Sequence, residues 1–155
     1  MHIERSSLLP FSAAQMYQIV TDIEAYPSFL PWCGSARIQR QAALNPDENE
    51  VEARLELAYR QLEFSFTTRN RNKHNSSVEI QLLEGPFSKL QGQWDFLPLA
   101  EVACKVSLTM SFKFNQRVAL TSALLNPVFE QIIVSQIKAF EDRARALYPE
   151  QGLTK

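Results

Sequence analysis

One stretch limits what this chain can fold into more than any other: residues 126–149, NPVFEQIIVSQIKAFEDRARALYP, the only long helical pattern among 155 residues. Phe129, Ile133, Ile137, Phe140, Ala144 and Leu147 recur in steps of three or four, which sets them on one face of an α-helix. The ends are marked as well. Asn126 suits an N-cap, Pro127 the first helical position and Glu130 the first turn, while Arg143 and Arg145 suit the negative end and Pro149 the stop. A helix over 127–147 would be roughly 30 Å long. An apolar stripe of that length needs a partner surface, and the rest of the chain offers chiefly strands.

From residue 35 onward the apolar period falls to two. Val51, Ala53, Leu55 and Leu57 alternate with Glu52, Arg54 and Glu56; Leu62, Phe64 and Phe66 with Glu63, Ser65 and Thr67; Val78, Ile80 and Leu82 with Glu79 and Gln81. Leu90, Gly92, Trp94 and Phe96 continue the pattern, and Cys104, Val106, Leu108, Met110, Phe112 and Phe114 form the longest run. Turn-forming residues at 45–49, 70–75, 85–86 and 98–101 punctuate these runs, so the expected arrangement is an antiparallel meander. Before it, residues 3–9 read as a first strand, and Ser12 with Gln15 as a capping box opening a short helix with Met16, Ile19, Val20 and Ile23 on one face. Val118 to Leu125 reads as a helical turn or two leading into the long helix, with Pro127 as a kink or restart.

The fold class expected is therefore α+β, a curved antiparallel sheet of six or seven strands covered by one long C-terminal helix, in a single domain over residues 1–149 with a tail at 150–155. A helix about 10 Å wide cannot fill the concave side of so broad a sheet, so large side chains close the gap or a cavity remains.

Composition narrows the function. A net charge of −1 argues against coating nucleic acid by bulk electrostatics, and no DNA partner is expected. The first residues lack an apolar signal region and no run approaches a membrane span, so the expected location is the cytoplasm. Cys33 and Cys104 belong to no CxxC, His2 and His74 stand apart, and the four glycines form no phosphate loop; no metal, required cofactor or catalytic residue is expected.

Two stretches stand out. YPSFLPWC, residues 26–33, places Tyr26, Pro27, Phe29, Leu30 and Trp32 on a connector whose prolines keep any helix to one turn. It reads either as a packed plug or as a movable cover on a ligand cavity. The wall of that cavity would be Phe64, Phe66, Trp94, Phe96, Phe112 and Phe114, opposite Phe129 and Ile133. The second stretch is residues 69–75, RNRNKHN, read as a turn with three positive charges and no acid: Arg69, Arg71 and Lys73 form either a solvated hairpin tip or an RNA contact.

YPSFLPWC, Phe66-Thr67-Thr68-Arg69, Gly85-Pro86-Phe87 with Leu90, Gly92, Trp94, Phe96 and Pro98-Leu99, and Ala139-Phe140-Glu141 with Arg143-Ala144 together resemble the family of bacterial ribosome-association toxins and coenzyme Q-binding proteins. The resemblance runs nearly the whole length, in order. It implies the START-like helix-grip fold with a hydrophobic tunnel, and a non-enzymatic role. Implied partners are the large ribosomal subunit, whose joining the toxin branch blocks, and ubiquinone or a similar lipophile, which leaves room for a transient membrane contact. The wider superfamily contains cyclases, which keeps an aromatase-type enzyme and a simply filled core as rivals. Tyr59-Arg60-Gln61, where relatives often have a glycine, and Lys138, at an often apolar helix position, depart from the pattern.

Overall fold

A computed structural model of the chain describes residues 1–59, 62–115 and 119–148, with the backbone alone at 62 and 119–124. The strands β1 (His2–Leu9), β2 (Cys33–Asn45), β3 (Glu48–Tyr59), β4 (Leu62–Lys73), β5 (Ser77–Glu84), β6 (Phe87–Ala100) and β7 (Ala103–Phe114) form one seven-stranded antiparallel sheet in the order β1-β7-β6-β5-β4-β3-β2. Strands β2 to β7 are a plain meander, as the turn punctuation predicts, and β1 closes the far edge against β7. Helix α1 (Ala13–Thr21) begins at the expected capping box: Gln15 N–H donates to Ser12 Oγ at 3.0 Å and Ser12 N–H to Gln15 Oε1 at 2.9 Å. A 3₁₀ turn over Ile23–Ser28 leads into the connector, and α2 (Ala119–Val134) and α3 (Gln136–Leu147) complete the chain.

The long helix departs from its expected form in three ways. It starts earlier, so Asn126 lies inside α2 rather than capping it and Pro127 is an interior proline. The sacrifice of one backbone donor does not end the helix, because the turns on both sides continue it. It is also interrupted at Ser135, whose hydroxyl donates to the Ile132 carbonyl at 2.9 Å and whose backbone caps α3. Phe129, Ile133, Ile137, Phe140 and Ala144 are all buried as the stripe requires, but Leu147 is exposed. Pro149 and the tail at 150–155, like Val118, Arg60 and Gln61, lie outside the described residues. Lys138 faces solvent and pairs with Asp142 at 2.6 Å, and Arg145 pairs with Glu141 at 2.6 Å.

A second correction concerns residues 70–75. Strand β4 runs on to Lys73, and only residues 74–76 turn, with Asn75 at φ 56 in the left-handed region that asparagine tolerates. The 98–101 turn contracts likewise, to residues 101–102.

Candidate functional site

The core between sheet and helices is built from two aromatic clusters. Around Phe129 on α2 gather Phe64, Phe66, Phe87, Phe112 and Phe114, with centroid distances of 4.8–6.4 Å from its ring. Around Phe140 on α3 gather Tyr26, Phe29 and Trp94, at 5.3–5.6 Å, and Trp94 stacks on Phe96, which meets Tyr17. The expected wall thus sorts into two clusters rather than one, although Phe66, Trp94 and Phe129 still reach a common space between them. Trp94 and Phe96 lie on β6 toward α1 and α3, several pleats from Phe112 and Phe114, and strand length separates the two groups.

Between the clusters lies an inner cavity of about 80 Å³. Its floor is sheet: Ala53 and Leu55 of β3, Phe66, Thr68 and Asn70 of β4, Ile80, Leu90, Trp94, Leu108 and Met110; its roof is Phe129, Ile132, Ile133 and Gln136, and Ile23, Tyr26 and Trp32 close one side. The space exists because short side chains, Ala53 and Thr68, face each other on β3 and β4 beneath the helices. An outer groove of about 480 Å³ runs along the connector and α3, lined by Phe29, Leu30, Pro31, Trp32, Tyr59, Ser135 and residues of α2 and α3 including Ile132 and Arg143. Trp32 and Ile132 belong to both spaces.

Of the nominated wall, Tyr26, Trp32, Phe66, Trp94, Phe129 and Ile133 line the inner cavity, and Phe29 and Leu30, with Trp32, the outer groove. Phe64, Phe96, Phe112 and Phe114 pack around these spaces without lining either, and Pro27 faces solvent. The connector is anchored rather than loose. The Tyr26 hydroxyl donates to the Val20 carbonyl, Phe29 is held between Phe140 and the Arg143 guanidinium, 4.8 Å above its ring, and Trp32 Nε1 donates to Gln136 Oε1 at 3.1 Å. Burial, with the nearby Cys33 and Asp22, pushes the Tyr26 phenol well above its ordinary value.

What sequence alternation missed is polar. The inward positions of β4 beyond Phe66 are Thr68, Asn70 and Asn72, all buried, so the interior holds polar side chains beside its rings. The signal was present in the alternation of Arg69, Arg71 and Lys73, which forces the residues between them inward once the stretch is a strand. For the same reason the basic residues do not lack acids. Arg69 pairs with Glu52 at 3.0 Å and Glu50 at 3.7 Å, and Arg71 with Glu48 at 2.6 Å, all across the strand pair. Lys73 has no ion pair among the described residues.

Among the described residues no group of three His, Cys, Asp or Glu side chains is placed to hold a metal, and no helix is long and apolar enough to cross a membrane. Cys33 and Cys104 are buried free thiols, pushed up to about 11 by burial.

This layout of a curved sheet gripping C-terminal helices around a partly open interior is shared widely. A solved START superfamily protein from Mycobacterium smegmatis superposes with a TM-score of 0.72 at 22% identity, over 94% of this chain and 98% of that one. The 18 kDa protein CC1736 from Caulobacter crescentus does so at 0.76 and 29% identity, over 96% and 99%. In sequence, the chain is 39% identical to the ribosome association toxin RatA of Pseudomonas aeruginosa over 95% of this chain and 97% of the toxin. More distantly, it is 27% identical to the mitochondrial coenzyme Q-binding protein COQ10 homolog B of Xenopus laevis, over 94% of this chain and 59% of that protein. Residues 9–141 match the family model for polyketide cyclase/dehydrase and lipid transport, so this START-like, helix-grip chain belongs to that family.

Proposed function

We propose that the chain is a non-enzymatic binding protein of the cytoplasm that associates with the large ribosomal subunit and hinders subunit joining, with an interior that takes a lipophile of the quinone kind. The observation that carries the ribosomal part is the similarity to the Pseudomonas aeruginosa toxin, at 39% identity and nearly full length on both sides. Supporting the lipophile is the lining of the inner cavity, largely aromatic and aliphatic side chains that stabilise an apolar ligand by roughly 25 cal/mol per Å² removed from water. At about 80 Å³ the space itself takes a quinone ring only when the partition of Trp32 and Ile132 opens it to the outer groove. A non-enzymatic reading is favoured over a cyclase because no His, Asp, Glu, Lys or Arg is among the described residues lining the inner cavity. Its one phenol, Tyr26, is tied to a backbone carbonyl with its acidity suppressed, so it is a poor proton donor near neutral pH. A dedicated quinone carrier is the second reading, supported by the likeness to the coenzyme Q-binding protein.

Sedimentation separates the two. Purified protein mixed with ribosomal subunits is expected to travel with the large subunit and to lower the fraction of joined ribosomes as its concentration rises. Protein that stays at the top of the gradient while a short-chain ubiquinone analogue quenches Trp32 and Trp94 fluorescence would leave the carrier reading. Failure in both measurements would sink the proposal.

A further inference from the structure

The polar groups of the inner cavity are not a random remainder. Two side-chain amides line it, Asn70 from the sheet and Gln136 from the first turn of α3, and in each the oxygen is already engaged. Thr68 Oγ1 donates to Asn70 Oδ1 at 3.0 Å, and Trp32 Nε1 donates to Gln136 Oε1 at 3.1 Å. An indole N–H can only donate, which fixes the sense of the Gln136 amide. Neither Asn70 Nδ2 nor Gln136 Nε2 donates to any described residue. Asn72 next along the strand is oriented the opposite way: its nitrogen donates to Asn49 Oδ1 at 3.0 Å, its oxygen is the unpartnered atom, and it does not line the cavity.

We propose that Asn70 and Gln136 are the head-group residues of the cavity, each turning an amide N–H toward a ligand oxygen, and that the ligand is an uncharged lipophile bearing hydrogen-bond-accepting carbonyls. This rests on the lipophile part of the function proposed above. The chemistry follows from what the lining offers. Both amides offer N–H donors, and each oxygen already accepts one bond, so an oxygen that only accepts, as in a ketone or quinone, meets the groups still without a partner, whereas a ligand hydroxyl competes for the second lone pair of an oxygen already engaged. A carboxylate would be brought into an apolar enclosure with no cation among the lining residues, which disfavours acids such as free fatty acids. Thr68 and Trp32 are positioning residues, holding each amide with its nitrogen toward the space.

The test uses three probes of one shape: duroquinone, the hydrocarbon durene and 2,4,5-trimethylbenzoate, titrated against the full chain by calorimetry. Wild-type protein is expected to bind duroquinone about tenfold more tightly than durene, the scale of one or two net hydrogen bonds, and the benzoate more weakly than either. Asn70→Leu and Gln136→Met, checked for an unchanged circular dichroism spectrum, should each shrink the quinone-to-hydrocarbon ratio severalfold while durene binding holds or strengthens. Durene bound by wild type as tightly as duroquinone would overturn this assignment and leave the lipophile reading standing. No binding of any probe would overturn both. Because the wild-type ratio decides by itself, a variant that fails to fold does not protect the idea.

Discussion

At the scale of single residues, the backbone constraint at Gly85 is the most stringent. Its φ of +151 lies where side-chain-bearing residues are rare, and a Cβ built there would stand 2.6 Å from Phe66 Cβ, which is itself packed in the Phe129 cluster. The glycine lets the 85–86 turn fold tightly over β4, which sets Phe66 against Phe87 with ring centroids 5.7 Å apart. Gly85→Ala is expected to cost about 2 kcal/mol, combining strain at a forbidden φ with a backbone shift, and to lower the midpoint of urea unfolding without changing its slope. An unchanged midpoint would mean the turn relaxes freely. Sequence marked this glycine as turn punctuation but held no sign of its sign of φ or of the Phe66 contact, because both depend on strands brought together from a distance. The cavity amides were hidden for a related reason. Thr68, Asn70 and Asn72 sit among arginines and lysine, so hydropathy reads the whole stretch as wet, although strand alternation alone assigns them inward.

At the scale of elements, the β3–β4 pair shows what local reading cannot supply. Glu48, Glu50 and Glu52 are opposite Lys73, Arg71 and Arg69, more than fifteen positions away in sequence, and register alone makes them neighbours. The basic row can therefore meet RNA phosphates only in competition with its own acids, and Lys73, without an ion pair among the described residues, is the freest of the three. A charge swap distinguishes the roles. If Arg71 serves the ribosome, Arg71→Glu should weaken cosedimentation with the large subunit, and adding Glu48→Arg should not restore it although the cross-strand pair is rebuilt. Recovery in the double variant would assign Arg71 to strand pairing alone. The helix break follows the same logic. The apolar stripe passes through Ile133 and Ile137 without a gap and serine is tolerated in helices, so nothing local forecasts a stop at Ser135. What the break does is place Gln136 in a new first turn beside the connector, within reach of Trp32. Most strands were legible because each buries one face at period two, but the largely exposed edge strand β2 shows no such period and could not be read from it, and register shifts interrupt the pairing of β4 with β5 at Thr67–Thr68 and of β6 with β7 near Phe87.

At the scale of the molecule, the two spaces are separated by Trp32 and Ile132, which line both, and the indole hydrogen bond to Gln136 ties the connector to α3 across 104 positions of chain. A ligand that enters from the outer groove has to displace that partition. The rest of the connector is poorly suited to move: Tyr26 is held through Val20, Leu30 is fully buried, and Phe29 is clasped by Phe140 and Arg143. A carboxylate introduced at 29 would land beside that guanidinium and be neutralised, so it is a poor probe of the cover. Trp32→Phe is a better one, since it keeps an aromatic wall and removes only the N–H that latches the partition. One net hydrogen bond is worth about 1 kcal/mol, so stopped-flow quenching of Trp94 by duroquinone should show entry and exit both accelerated, by roughly fivefold each. The dissociation constant should move much less, because opening the latch speeds both directions. The freed Gln136 oxygen adds an acceptor to the cavity, and a small loss of preference for the quinone over durene should accompany the faster exchange. Exchange rates equal to wild type in a folded Trp32→Phe protein would mean that ligands reach the interior by a route that does not pass the connector.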